Sequence, residues 1–215
     1  MRKFKSLICA VLAAISVVCA VSCGGGTNTT YSPALPAQPK DDYRQYLNEQ
    51  WSSVNDMSDM QGYRNWYYYC GDPDDKSLEL MVFNDYYGRW SSKYQQLYFD
   101  TYMWSNVWLP EDQQGYGIGM GFKAPASGRL QIVAEITLLA EEKYNSGDGV
   151  VFSISDKNGL PHDAMSIDAY QGGQKQTMNL TIDIKMDEEV LFMLFPNTNN
   201  KNDFTEVNVT IKYAK

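Results

Sequence analysis

Leu130-Gln131-Ile132-Val133-Ala134-Glu135-Ile136-Thr137-Leu138 is the stretch that decides the fold. Its apolar side chains recur at every second residue, with Gln131, Glu135 and Thr137 between them. Successive side chains of an extended chain point to opposite faces, so a period of two describes a strand with one buried and one wet face. Met178, Leu180, Ile182 and Ile184 repeat the pattern against Asn179, Thr181 and Asp183. Val207, Val209, Ile211 and Tyr213 repeat it against Asn208, Thr210 and Lys212. Shorter candidate strands lie at 65–70, 78–84, 96–103, 116–122, 149–155, 165–169 and 189–195. Turn signals separate them, among them Gly71-Asp72-Pro73, Gly147-Asp148-Gly149, Lys157-Asn158-Gly159 and Gly172-Gly173. About ten short strands broken in this way predict an all-β fold, an antiparallel sandwich.

One short helix is expected in front of the strands. Tyr43, Tyr46, Leu47, Trp51 and Val54 fall on one face at helical spacing, and Asp41 and Asp42 suit its positive N-terminus. The folded domain is therefore expected to span 41–215. Residues 24–40 carry glycine, threonine and three prolines with almost no large apolar group, the composition of a tether that stiffens toward its proline end.

Upstream, Arg2, Lys3 and Lys5 precede an apolar run from Leu7 to Val21 and then small Ser22, which predicts a secretory signal peptide over 1–22. The run is shorter than the roughly 20 residues a spanning helix needs. Ala20-Val21-Ser22-Cys23 resembles the lipobox of bacterial lipoproteins. That resemblance implies a diacylglyceryl group on Cys23, a lipidated residue and tether over 23–40, and a membrane partner reached through the anchor. It implies the cell envelope, at the outer membrane, with either its periplasmic or its surface side open. A conventional cleaved signal is the alternative.

The formal net charge of −8 becomes −11 once Arg2, Lys3 and Lys5 are removed with the signal. Such an acidic surface repels phosphate backbones, so no nucleic-acid partner is expected. Of the four cysteines, Cys9 and Cys19 leave with the signal and Cys23 is assigned to the lipid. Cys70 then stands alone, which leaves no intrachain disulfide in the mature domain. In Trp66-Tyr67-Tyr68-Tyr69-Cys70 it is expected to be buried as a small hydrophobe rather than poised as a nucleophile.

Four fragments fall in a familiar order: Gln61-Gly62 with Asn65-Trp66-Tyr67-Tyr68, Phe122-Lys123-Ala124-Pro125 with Gly128, Gly147-Asp148-Gly149-Val150, and Phe195-Pro196 before Asn199, Asn200 and Asp203. Over residues 60–215 this order resembles the jelly-roll, galactose-binding-like β-sandwich modules of exported bacterial proteins that handle glycans. Its motifs are mostly turns and strand ends, so it implies a fold more than an activity. Two features depart from the pattern. Cys70 replaces an expected aromatic, and Gly117, Gly119 and Gly121 crowd the strand before Phe122.

Catalytic chemistry finds little support. The single histidine, His162, stands beside Pro161 without a nucleophile motif, the His/Cys clusters of zinc sites are missing, and no cofactor is expected. Aromatic residues are the stronger signal, with 16 tyrosines and 5 tryptophans, many of them between 63 and 108. Flat aromatic faces stack on the apolar C–H faces of sugar rings while hydroxyl and amide groups take the sugar hydroxyls. Tyr67 and Tyr69 must point away from Trp66, Tyr68 and Cys70 in a strand. Tyr86-Tyr87-Gly88-Arg89-Trp90 reads as a loop between strands. Tyr67, Tyr69, Tyr86, Tyr87 and Trp90 are thus the candidate ligand-binding residues, and Trp66, Trp104 and Trp108 are expected in the core. Asn145, Asp148, Asp156 and Asn158 suit turn chemistry, with calcium as the competing role. The leading functional expectation is a non-catalytic, lipid-anchored glycan-binding module. A structural or adhesive lipoprotein with an unknown protein partner competes with it, as does a glycoside hydrolase with an unrecognised carboxylate pair.

Overall fold

The structure, a computed structural model, describes residues 41–74, 76–92, 102–110, 116–139, 148–201 and 203–215. Cys23, the tether, Asn145 and most of the 96–103 candidate strand lie outside the described residues.

Short strands come first: β1 (Trp51–Ser52), β2 (Trp66–Gly71), β3 (Glu79–Leu80), β4 (Val82–Asn84), β5 (Arg89–Ser91), β6 (Tyr102–Trp104) and β7 (Val107–Leu109). Longer ones follow: β8 (Gly117–Lys123), β9 (Gly128–Leu138), β10 (Val150–Asp156), β11 (Pro161–Ile167), β12 (Lys175–Ile184), β13 (Glu189–Pro196) and β14 (Thr205–Tyr213). They form two antiparallel sheets. One has eight strands in the order β12-β9-β14-β7-β6-β5-β4, with β1 also on β14, and the other has six in the order β11-β10-β13-β8-β2-β3. From β8 to β14 the chain passes back and forth between the sheets, which gives the jelly-roll-like sandwich.

The three alternating segments are neighbours in the eight-stranded sheet. Ile132 pairs with Leu180 on one side and Ile211 on the other. Leu130, Ile132, Ala134, Ile136 and Leu138 are buried, whereas Gln131 and Val133 face solvent. Across the core lie Trp66, Tyr68, Ile118, Met120, Phe152, Phe192 and Leu194 of the six-stranded sheet, all fully buried. Cys70 is buried among them, as expected, with the Tyr116 hydroxyl 3.6 Å from its sulfur.

Three expectations need correction. The helix shrinks to one 3-10 turn, Tyr43–Tyr46, capped by the Asp42 side chain, and Trp51 belongs to β1. The helical spacing had a different cause: Tyr43, Tyr46 and Trp51 all pack around Tyr213, with ring centroids about 6 Å apart. The 165–169 strand begins earlier, at Pro161, on the sheet edge where a missing N–H costs nothing. The segment 86–90 is a turn followed by β5 rather than a loop throughout.

Gln61 bridges the point where β3 and β4 part into different sheets. Its side chain accepts from Tyr68 N–H and donates to the carbonyls of Tyr68 and Met81, closing the gap between β2 and the departing chain.

Candidate functional site

β2 places Trp66, Tyr68 and Cys70 in the core and Tyr67 and Tyr69 on the outer face of the six-stranded sheet. That face is not simply wet. Tyr69, Leu191 and Met193 form a second, smaller buried cluster, joined by Tyr67, Leu78 and Phe195. β13 is consequently apolar on both faces, which accounts for its unbroken run Val190-Leu191-Phe192-Met193-Leu194.

The glycines of β8 make this layer possible. A Cβ on Gly119 would overlap the Phe192 carbonyl and the Met193 sulfur, and one on Gly121 would overlap Glu189 Oε1 and the Tyr69 ring. The glycine-rich strand β8 is therefore a floor kept low so that Tyr69 and Glu189 can lie across it.

At the end of the sandwich this layer meets the β10–β11 turn and the chain between β12 and β13. Together they enclose a cleft of about 540 Å³. Tyr67, Tyr69, Lys123 and Glu189 line it from the sheet, Lys157, Asn158 and His162 from the β10–β11 hairpin, and Asp183 and Asp187 from the far wall. An adjoining depression of about 360 Å³ shares Tyr69, Lys157 and Asn158 and is otherwise lined by Pro73, Lys76, Leu78 and Leu80.

Tyr69, Lys157 and Glu189 stand where the two depressions meet. Lys157 Nζ lies 2.9 Å from Glu189 Oε2 and 3.2 Å from the Tyr69 hydroxyl, and 5.3 Å from the centre of the Tyr69 ring. The Glu189 side chain is only 6 % exposed while that of Lys157 is 55 % exposed. Glu189 Oε1 makes no hydrogen bond among the described residues. Burial first, and then the Glu189 carboxylate, push the Tyr69 hydroxyl far above its ordinary value, so the phenol stays protonated. On the rim, Lys123 pairs with Asp187 at 2.9 Å, and the Asp187 carboxylate raises the lysine's pKa.

The other candidates lie elsewhere. Trp90 is a core residue: it is 2 % exposed, stacks on Tyr68 at 4.2 Å and 14°, and donates its ring N–H to the Ser58 carbonyl at 2.9 Å. Its position in β5, opposite Phe83, turns it inward and removes it from any ligand surface. Tyr86 and Tyr87 sit on the β4–β5 turn, edge to face at 4.7 Å, with the Arg89 guanidinium 4.8 Å from the Tyr87 ring. Asn84 Oδ1 fixes this turn by accepting both tyrosine N–H groups. Trp104 is 61 % exposed, not buried, because the inward place in β6 belongs to Met103. Asp156 and Asp148 act in turns, accepting from the N–H groups of Asn158 and Leu160 and of Thr198.

The structure thus brings Tyr67 and Tyr69 together in a cleft, holds Tyr86 and Tyr87 on the other sheet's edge, and buries Trp90. Lys123, Lys157 and Glu189 escaped the sequence reading. Gly121, which leaves room for Glu189 and Tyr69, was a visible trace of Glu189 alone.

No family model matches the chain, and no curated protein matches it. Among solved structures, the xylan-binding module CBM15 aligns with a TM-score of 0.38 at 11 % identity, over 69 % of this chain and 92 % of that one. CBM35 from Cellvibrio japonicus Abf62 aligns at 0.34 and 15 % identity, over 53 % and 80 %. Rabbit GITRL aligns at 0.31 and 5 % identity, over 69 % and 94 %. Scores this low carry no functional weight, and the cleft is read from its own residues.

Proposed function

We propose that this chain is an exported, lipid-anchored protein of the bacterial outer membrane, whose sandwich binds a glycan in the cleft beside Tyr67 and Tyr69. One observation carries the reading: a cleft of about 540 Å³ combines tyrosine rings with a fixed set of ammonium, carboxylate and amide groups. Ligand sites of a few hundred Å³ commonly join aromatic surface to a small number of placed polar groups. A sugar needs both, since its C–H faces stack on rings and its hydroxyls seek hydrogen bonds.

The state of the carboxylates supports a binding rather than a hydrolytic role. Asp187, Glu188 and Glu189 are paired with Lys123, Lys185 and Lys157, Asp183 with Arg129, and Asp156 is occupied by its turn. A glycosidase needs two carboxyl groups available for proton transfer or attack across one bond.

A glycan array probed with the purified chain tests the reading. Tyr67→Ala should weaken the best ligand about tenfold, taking the lower end of the roughly 1–3 kcal/mol known for base–aromatic stacking. An array without hits, or undiminished binding by Tyr67→Ala, would sink it. The anchor is tested separately. Labelling with a palmitate analogue should mark the chain and be lost in Cys23→Ala.

The exposed Tyr86, Tyr87 and Trp104, with the half-buried Arg89 against the Tyr87 ring, favour a second reading, adhesion to a protein, because Trp, Tyr and Arg dominate protein interfaces. Loss of partner capture in a Tyr86→Ala/Trp104→Ala double variant, with glycan binding intact, would support it.

A further inference from the structure

We propose that Lys157 is the residue that reads the ligand in this cleft, and that it selects neutral oligosaccharides over acidic ones. The inference rests on the glycan reading above and deepens it.

Position comes first. Lys157 occupies a turn that is fixed on several sides. Asp156 Oδ1 accepts from Asn158 and Leu160 N–H at 2.8 and 3.0 Å, and the Asp156 N–H donates to the Leu160 carbonyl at 3.0 Å. Gly159, at φ +84°, lies so close to Asp74 that a Cβ there would overlap it. From this turn the lysine reaches over to β2 and β13, and it borders both depressions. A ligand long enough to occupy both must pass its ammonium.

Donor capacity comes next. An ammonium carries three N–H donors and accepts nothing. Glu189 and Tyr69 engage two, and the side chain is more than half exposed, so one donor remains for the cleft. Its partner must be an oxygen acceptor.

Charge then separates the possible acceptors. Glu189 neutralises Lys157 and Asp187 neutralises Lys123, each at 2.9 Å. The same walls also carry Asp183, paired with Arg129, Glu188, paired with Lys185, and Asp156, which no cation pairs among the described residues, so the lining stays net acidic. A ligand carboxylate would find no unbalanced cation at Lys157 and would meet like charges around it, an arrangement that rejects a partner. A hydroxyl or ring oxygen takes the same N–H without that repulsion. Lys157 is therefore a donor whose charge has been cancelled, which suits a neutral sugar and disfavours a uronate.

The test uses the full chain on an array of neutral and uronate-containing oligosaccharides, followed by titration calorimetry. The unaltered chain should bind its best neutral oligosaccharide at least tenfold more tightly than a uronate of equal length. Equal or tighter uronate binding overturns the proposal, and this arm needs no variant. Lys157→Met alone strands the buried Glu189, so the informative variant is Lys157→Met/Glu189→Gln, which removes both charges. That double variant should melt near the parent temperature yet bind the neutral ligand about tenfold more weakly. Parent-like binding by the folded double variant, with binding lost in Tyr67→Ala, overturns the role of Lys157 and leaves the cleft standing. No binding anywhere on the array overturns both.

Discussion

The cleft and the β4–β5 turn each display a pair of tyrosines, yet they are built in opposite ways. Tyr69 is buried over a glycine floor, its hydroxyl held by Lys157 beside a buried carboxylate. Tyr86 projects into solvent at 87 % exposure, supported mainly by its neighbouring ring and an Asn84 side chain. Density of aromatics in the sequence is the same signal in both places. What separates them is enclosure: a walled cleft with fixed polar groups can discriminate between sugars, whereas an exposed ring offers area and little selection. Trp90 and Trp104 repeat the contrast on adjacent strands, one inside the sandwich and one outside.

The largest effect expected from this contrast lies in the tryptophans. Trp90→Ala should destabilise the domain by about 3–5 kcal/mol, as for other large core truncations, while Trp104→Ala should stay within about 0.5 kcal/mol. Urea melts of the two variants check this, and similar losses in both would erase the inside–outside distinction. The glycine floor comes next. Gly119→Ala forces a methyl group against the Phe192 carbonyl and should cost about 1–3 kcal/mol or more. Gly88→Ala, where a Cβ meets nothing within 4 Å, should cost less and only through its φ of +63°. A reversed order in thermal melts would mean that the floor is not tight.

Alkaline titration sharpens the comparison at the level of single hydroxyls. Burial pushes both Tyr68 and Tyr213 up to about 12 from an ordinary 10.0. A folded-state pKa above the unfolded one means that the protonated form is favoured by folding. This stability is therefore complete below pH 10 and is lost as pH rises from 10 toward 12, on the order of 2 kcal/mol per tyrosine. Denaturant melts at pH 8 and pH 11 should show the loss, and Tyr68→Phe should reduce it. The smallest effect belongs to the exposed turn. Tyr86→Ala should change stability by less than about 0.5 kcal/mol and leave glycan binding in the cleft unaltered. A loss of glycan binding there would move the site to the other sheet.

The long strands were legible because each buries one face only. β9, β12 and β14 show their register directly in the alternation of Leu130 to Leu138, Met178 to Ile184 and Val207 to Tyr213. Even there the depth was not legible. Leu180 and Ile182 point inward as their parity requires but are only half-buried, since β12 is the edge of its sheet. The strands β5 and β7, three residues each, are too short for any period to register, which is why Trp90 read as a loop residue.

By itself the sequence determined the all-β class, the inward parity of the long strands, the burial of Cys70, and the opposition of Tyr67 and Tyr69 to Tyr68. All of these follow from alternation along one extended chain, a local property. Only the tertiary structure decided which aromatics face a cleft, because that depends on what the neighbouring strand places opposite them. Tyr69, Gly121, Lys157 and Glu189 come from four separate segments, and no spacing within one segment encodes their meeting. Gly121 carried a trace of that meeting, but an absent side chain does not say what fills its space.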